Sequence, residues 1–248
     1  MDRITYVDIH QGLDEVDTWL RSMGLDQNHR IRQNKRNLAT MAEAATSGTL
    51  VDLIAKAALD GPVDLQAENL TSNRGRNTMF EIVLAGKLAA GGLKPILGGE
   101  PDVWVGLNDR NLLIQCKRVF SRNGILKCLK DASRQLKRDL LRSSDPRDCG
   151  LIAISLSRIC NAGDKILVVP SEEALRDKLR EEVDVVMAEV SHMYREVKDP
   201  KIAGVAFHLA TPAFREDIKL YIASYSITVS HIAGKSDRAL LSALSDYI

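Results

Sequence analysis

The sequence predicts an α/β fold with one mixed sheet flanked by helices, and three observations carry that prediction. Residues 100–118, EPDVWVGLNDRNLLIQCKR, hold two apolar runs joined by a polar Asn-Asp-Arg-Asn tip, which is the pattern of a β-hairpin. Apolar residues at helical spacing follow at 124–142, and a further apolar run at 150–157 reads as a strand. Hairpin, helix and strand in that order make a crossover unit, and 248 residues are enough to bury a substantial core around it.

Before the hairpin, residues 1–66 read as an appended helical module, with helices near 8–22, 34–46 and 48–59 punctuated by Gly24, Gly48 and Gly61. A basic connector, HRIRQNKR, lies within it at 29–36, and Gly61-Pro62 breaks it from the domain expected over 67–248. That domain opens with a helix at 74–91 and strands at 94–98, 102–107 and 112–118, then the helix 124–142 and the strand 150–157. A strand at 165–169 precedes a long helix at 172–197, for which Ser171 is the N-cap and Glu172 and Glu173 complement the positive end. Strands at 202–210 and 218–229 and a short helix at 236–246 complete the chain.

With Asp109-Arg110 at the centre of the hairpin turn, Asp102 faces Lys117 and Trp104 faces Gln115. Alternation then puts Val103, Val105, Leu107, Leu112, Ile114 and Cys116 on one wholly apolar face, which must pack on a core. The opposite face carries Asp102, Trp104, Leu113, Gln115 and Lys117. Spacing alone leaves two readings of that face: a solvated charge pair on an edge hairpin, or groups assembled for chemistry.

Charge does not decide globally, because 34 Lys+Arg nearly cancel 33 Asp+Glu. Locally it is uneven: from 110 to 142 there are ten Lys/Arg against two acids, whereas 171–199 holds nine acids and five bases. In the helix 124–142, Ile125, Leu129, Ala132, Leu136 and Leu140 form the buried stripe, while Lys127, Lys130, Arg134, Lys137 and Arg138 centre on the opposite side and Gln135 lies on a flank. A solvated face normally mixes signs, so this one suggests an anionic ligand. The four cysteines have no metal-ligand spacing and read as reduced thiols, and the five histidines stand apart and read as structural. MDRITYVDIHQG has no apolar signal core and no run of 18 apolar residues occurs, so the expectation is a cytoplasmic protein with no membrane partner.

Glu81, in the helix NRGRNTMFEIVLAGKLAAGG (73–92), completes a pattern with Pro101-Asp102 and Gln115-Cys116-Lys117. In this order, on helix, hairpin and helix, the residues resemble the active-site arrangement of the PD-(D/E)XK nucleases. MFEIVLAGKLAAGG and LLIQCKR are most similar to the Mrr-like branch, in which a Phe-Glu pair opens the first helix and Gln-Cys-Lys-Arg replaces the usual acid-x-Lys. The resemblance covers roughly 74–142 and implies a restriction-endonuclease-like sheet.

It also implies roles. Glu81 and Asp102, with the backbone carbonyl of Cys116, would hold Mg²⁺ or Mn²⁺, hard cations that prefer oxygen ligands. Lys117 would position or deprotonate the attacking water. Gln115 stands where most relatives carry an acid; its amide oxygen is able to ligate but adds no charge. Arg118 and the helix residues Lys127, Lys130, Arg134, Gln135, Lys137 and Arg138 would meet nucleic acid, expected to be double-stranded DNA, and the helical module would support a homodimer. The implied activity is a metal-dependent DNA endonuclease with a restriction or defence-like role. Two other readings fit the same residues: a catalytically silent nuclease fold that binds nucleic acid or protein, and an RNA-cleaving nuclease.

Overall fold

A computed structural model describes residues 5–7, 74–97, 100–143, 145–161, 166–190, 192–193, 199–215, 219–230 and 235–245. The helices expected at 8–22, 34–46 and 48–59, and the boundary near 67, lie outside these residues. The strands are β1 (Thr5–Val7), β2 (Ile96–Leu97), β3 (Val103–Leu107), β4 (Arg110–Arg118), β5 (Asp148–Ser155), β6 (Ile166–Val169), β7 (Ile202–Arg215) and β8 (Lys219–Ser230). The helices are α1 (Arg74–Ala90), α2 (Ile125–Arg142), α3 (Ser157–Cys160), α4 (Glu172–Val190) and α5 (Lys235–Ser245).

All eight strands join one mixed sheet. β2, β3 and β4 run antiparallel in succession; β4 pairs parallel with β5, and β5 parallel with β7. β8 lies antiparallel along β7 from Gly204 to Arg215. It fills one edge of that strand, so β5 at 202–208 and β6 at 213–215 share the other edge end to end. Thr5–Val7 pairs antiparallel with β6, so a piece of the N-terminal segment belongs to the sheet.

The sheet is covered on both faces. One core joins α2 and α4 to alternate residues of the central strands, among them Leu113, Ile152, Ile154, Val205 and Phe207. The other joins α1 and α5 to Val103, Val105, Leu107, Leu112, Ile114 and Cys116, the apolar hairpin face expected from alternation. Strands sandwiched in this way must be apolar on both sides, and Cys149–Ser155 of β5 is buried without a break. α2 lies close on β5 because residue 150 is glycine: a Cβ there would sit 3.2 Å from both Leu136 Cδ1 and Ile202 Cγ1.

Three expectations change. The hairpin turn is centred on Asn108-Asp109, not Asp109-Arg110, so Trp104 pairs with Leu113 and Val103 with Ile114. The physical reason is Asn108, which takes φ 56°, a left-handed conformation that asparagine tolerates better than most residues. The slip is two residues, which leaves every side chain on its expected face. β7 continues to Arg215 through Thr211-Pro212, which reads as a turn in sequence; Pro212 falls in the stretch of edge between β5 and β6, where no ladder bond is demanded of it. α4 runs Glu172–Val190 with a buried stripe of Leu175, Leu179, Val183, Val186 and Val190. Of the expected extension to 197, His192 and Met193 are not α-helical, and 191 and 194–197 lie outside the described residues.

Candidate active site

Four segments converge at the carboxyl end of β4. A cleft of about 520 Å³ is lined by Asn77 and Glu81 of α1, Asp102 at the entry to β3, and Cys116, Lys117 and Arg118 of β4. Phe120, Ser121 and Gly124 of the following loop, with Lys127, Cys128 and Asp131 of α2, close the other side. Glu81, Asp102, Cys116 and Lys117, expected together, are thus together. The polar face of the hairpin is no solvated surface, because α2 covers it and Gln115 is 5 % exposed.

The corrected register explains how Asp102 is held. Cys116 lies beyond the last paired residue of β3, so its backbone N–H has no ladder partner there. Asp102 supplies one: its Oδ2 accepts the Cys116 N–H at 2.7 Å and also a hydrogen bond from Gln115 Nε2. Both contacts fall on one oxygen, which leaves Oδ1 for a ligand. The carbonyl and N–H of a strand residue point the same way, so the Cys116 carbonyl faces the edge that Asp102 occupies. Lys117, expected opposite Asp102, is instead two positions beyond the residue that faces it, Gln115, and lines the cleft with Asp102.

Electrostatics mark the two carboxylates as strained partners. Burial and then the nearby Asp102 raise the Glu81 carboxyl to about 7, with Lys117 opposing. Asp102 is also raised, first by burial; the Cys116 N–H and Lys117 oppose this, and Asp139 and Glu100 add to it. Two converging carboxylates that are costly to ionise together define a place for positive charge.

The donor set fits a hard dication. Glu81, Asp102 and the Cys116 carbonyl supply oxygen, and among the described residues no group of three or more His, Cys, Asp or Glu side chains is placed to hold a metal. Only part of a coordination shell would come from the protein, as suits Mg²⁺, which keeps several waters and shares substrate phosphate oxygens. Gln115 enters as a hydrogen-bond donor to Asp102, since an amide oxygen turned towards a carboxylate would be repelled.

The basic residues surround this cleft unevenly. Lys127, Lys130, Arg134, Lys137 and Arg138 are all exposed, as expected, but Lys127 lines the cleft while Arg134 and Lys137 engage Asp131 at 2.6 Å and Asp199 at 3.3 Å. Gln135 is half-buried, with a buried Oε1 that has no hydrogen-bond partner among the described residues. Trp104 is half-buried against the core, and Glu100 accepts a bond from Arg142 at 2.5 Å, so neither joins the site. All four cysteines are free. Among the described residues no helix is long and apolar enough to cross a membrane.

Sequence reading missed Asn77 and Phe120. Asn77 was findable, being one helical turn before Glu81 and therefore on its face. Phe120 carried no periodic signal. No family model matches the chain, and no curated protein is significantly similar to it.

Proposed function

We propose that the protein is a divalent-metal-dependent phosphodiesterase, a nuclease acting on DNA. The observation that carries this reading is the convergence of Glu81, Asp102 and Lys117 on one cleft from three separate elements, with Asp102 fixed by Gln115 and Cys116. A bound dication would polarise a phosphoryl oxygen and lower the pKa of coordinated water. Glu81 and Asp102 would hold that cation. Gln115 and the Cys116 N–H keep Asp102 in one orientation, so little reorganisation is needed when a ligand arrives. The Lys117 ammonium offsets charge that accumulates on the phosphate and orients the nucleophile. Lys127 at the rim extends the positive field along α2, where a polyanion would lie.

A silent nucleic-acid-binding module is the second reading, favoured by Gln115, whose amide donates to Asp102 and adds no negative charge to the site. The two separate in one assay: purified protein is incubated with plasmid, linear duplex, single-stranded DNA and RNA, each with Mg²⁺, Mn²⁺ or EDTA. The nuclease reading expects divalent-dependent cleavage of DNA. Binding without cleavage under every metal condition contradicts it, and cleavage of RNA alone moves the substrate.

A further inference from the structure

We propose that the cleft contains a subsite for one unpaired nucleobase, walled by Arg118 and Phe120 and completed by Asn77. This rests on the nuclease reading and specifies the form of its substrate. Val119 is fully buried and its N–H is held by Ser155 O at 3.3 Å, which fixes the backbone on which Phe120 stands. Phe120 itself is half-buried and lines the same cleft as Asp102 and Lys117. The Arg118 guanidinium lies 5.7 Å from the Phe120 ring centroid, so a planar cation and an aromatic ring are assembled beside the catalytic groups. Nucleobases stack on both kinds of surface.

Asn77 adds a second, independent sign. It lines the same cleft, and its buried side-chain Oδ1 has no hydrogen-bond partner among the described residues. Buried polar atoms are nearly always satisfied, so this amide is open to a partner that enters the cleft. The amino or imino edge of a base supplies one.

Size and geometry favour an unpaired nucleotide. A cleft of about 520 Å³ suits one small organic group rather than a stack of base pairs. A base inside a duplex is covered on both faces by its neighbours and reaches such a wall only after leaving the stack. The substrate form implied is a single strand, a flap or a frayed end, with the scissile phosphate next to the bound base. DNA and RNA share this chemistry, so the test includes both.

The full-length protein is mixed in EDTA with short single strands of DNA or RNA carrying one 2-aminopurine, and with the same sequence as blunt duplex. Anisotropy gives affinity and 2-aminopurine fluorescence reports stacking. Quenching is expected in the single-strand complex and not in the duplex complex. Phe120→Leu should weaken single-strand binding about ten-fold and abolish the quench, with duplex affinity unchanged, because the aromatic stacking surface is gone. Phe120→Tyr should retain both. If wild type binds single strands without quenching, or Phe120→Leu binds and quenches like wild type, the subsite is wrong and the nuclease reading stands. If wild type binds neither strand nor duplex, the nuclease reading falls and takes the subsite with it.

Discussion

At the scale of single residues, Gln115 explains most about the site. Its amide and the Cys116 N–H meet on Asp102 Oδ2, so one carboxylate is oriented by two donors before any ligand binds. Gln115→Glu replaces the amide donor with a carboxylate against Asp102. Without metal, the two acids repel or share a proton, and the melting temperature in EDTA should fall by a few degrees at neutral pH, since about 1 kcal/mol shifts a domain of this size by roughly 2–4 °C. With metal, the added charge should tighten Mn²⁺ binding as read by isothermal titration. Equal or weaker binding by the variant would mean that position 115 does not face the cation. The residue types of this site were legible because Asp, Gln and Lys are out of place inside strands that otherwise read as core. The partner of Asp102 was not, because register depends on whether Asn108 adopts a positive φ, which composition does not disclose.

At the scale of elements, α2 separates its two tasks by face. Ile125, Leu129, Ala132, Leu136 and Leu140 are all buried against β4 and β5, while five cations point outward and Lys127 reaches the cleft. Substituting Lys127, Arg134 and Arg138 together by Glu should leave the core intact. It should weaken DNA binding for all sequences alike and make the slope of log affinity against log salt shallower, by roughly one unit for each phosphate that is no longer neutralised. An unchanged slope would reduce this face to ordinary solvation. The helix was readable because its apolar stripe has a clean period, and most strands were readable within a few residues for the same reason. β7 was cut short in sequence because Thr211-Pro212 carries a local turn signal, and only its placement between β5 and β6 lets a proline remain in the strand.

At the scale of the molecule, two helical layers enclose the sheet, and a histidine sits in one of the cores. His208 is 3 % exposed, its ring centroid 5.5 Å from that of Phe80, and among the described residues neither of its nitrogens has a hydrogen-bond partner. Burial, with the nearby Lys87 adding to it, lowers its pKa from 6.5 to about 3. Between those values the unfolded chain binds a proton that the folded chain refuses, so stability falls as pH drops through the window, by at most about 1.4 kcal/mol per pH unit. His208→Phe removes this dependence. Urea unfolding at pH 7 and pH 4.5 should show wild type losing more stability than the variant, by up to roughly 2–3 kcal/mol. A pH-independent difference would mean the imidazole takes up its proton in the fold as readily as in the unfolded chain. The burial of His208 has no sequence signature, because it comes from strand order rather than from its neighbours in the chain.

Lys117→Ala tests most directly the proposal that Glu81, Asp102 and Lys117 form a metal-dependent phosphodiesterase site. Lys117 is half-buried and away from the cores, so its truncation should cost no more than about 1 kcal/mol of stability. The measurement is cleavage of supercoiled plasmid and single-stranded DNA by wild type and variant, with Mn²⁺, Mg²⁺ or EDTA, alongside a melting curve that confirms folding. Wild type should cleave only with a divalent cation, and the folded variant should not cleave at all. Equal cleavage by a folded Lys117→Ala protein, or undiminished wild-type cleavage in EDTA, would contradict the assignment.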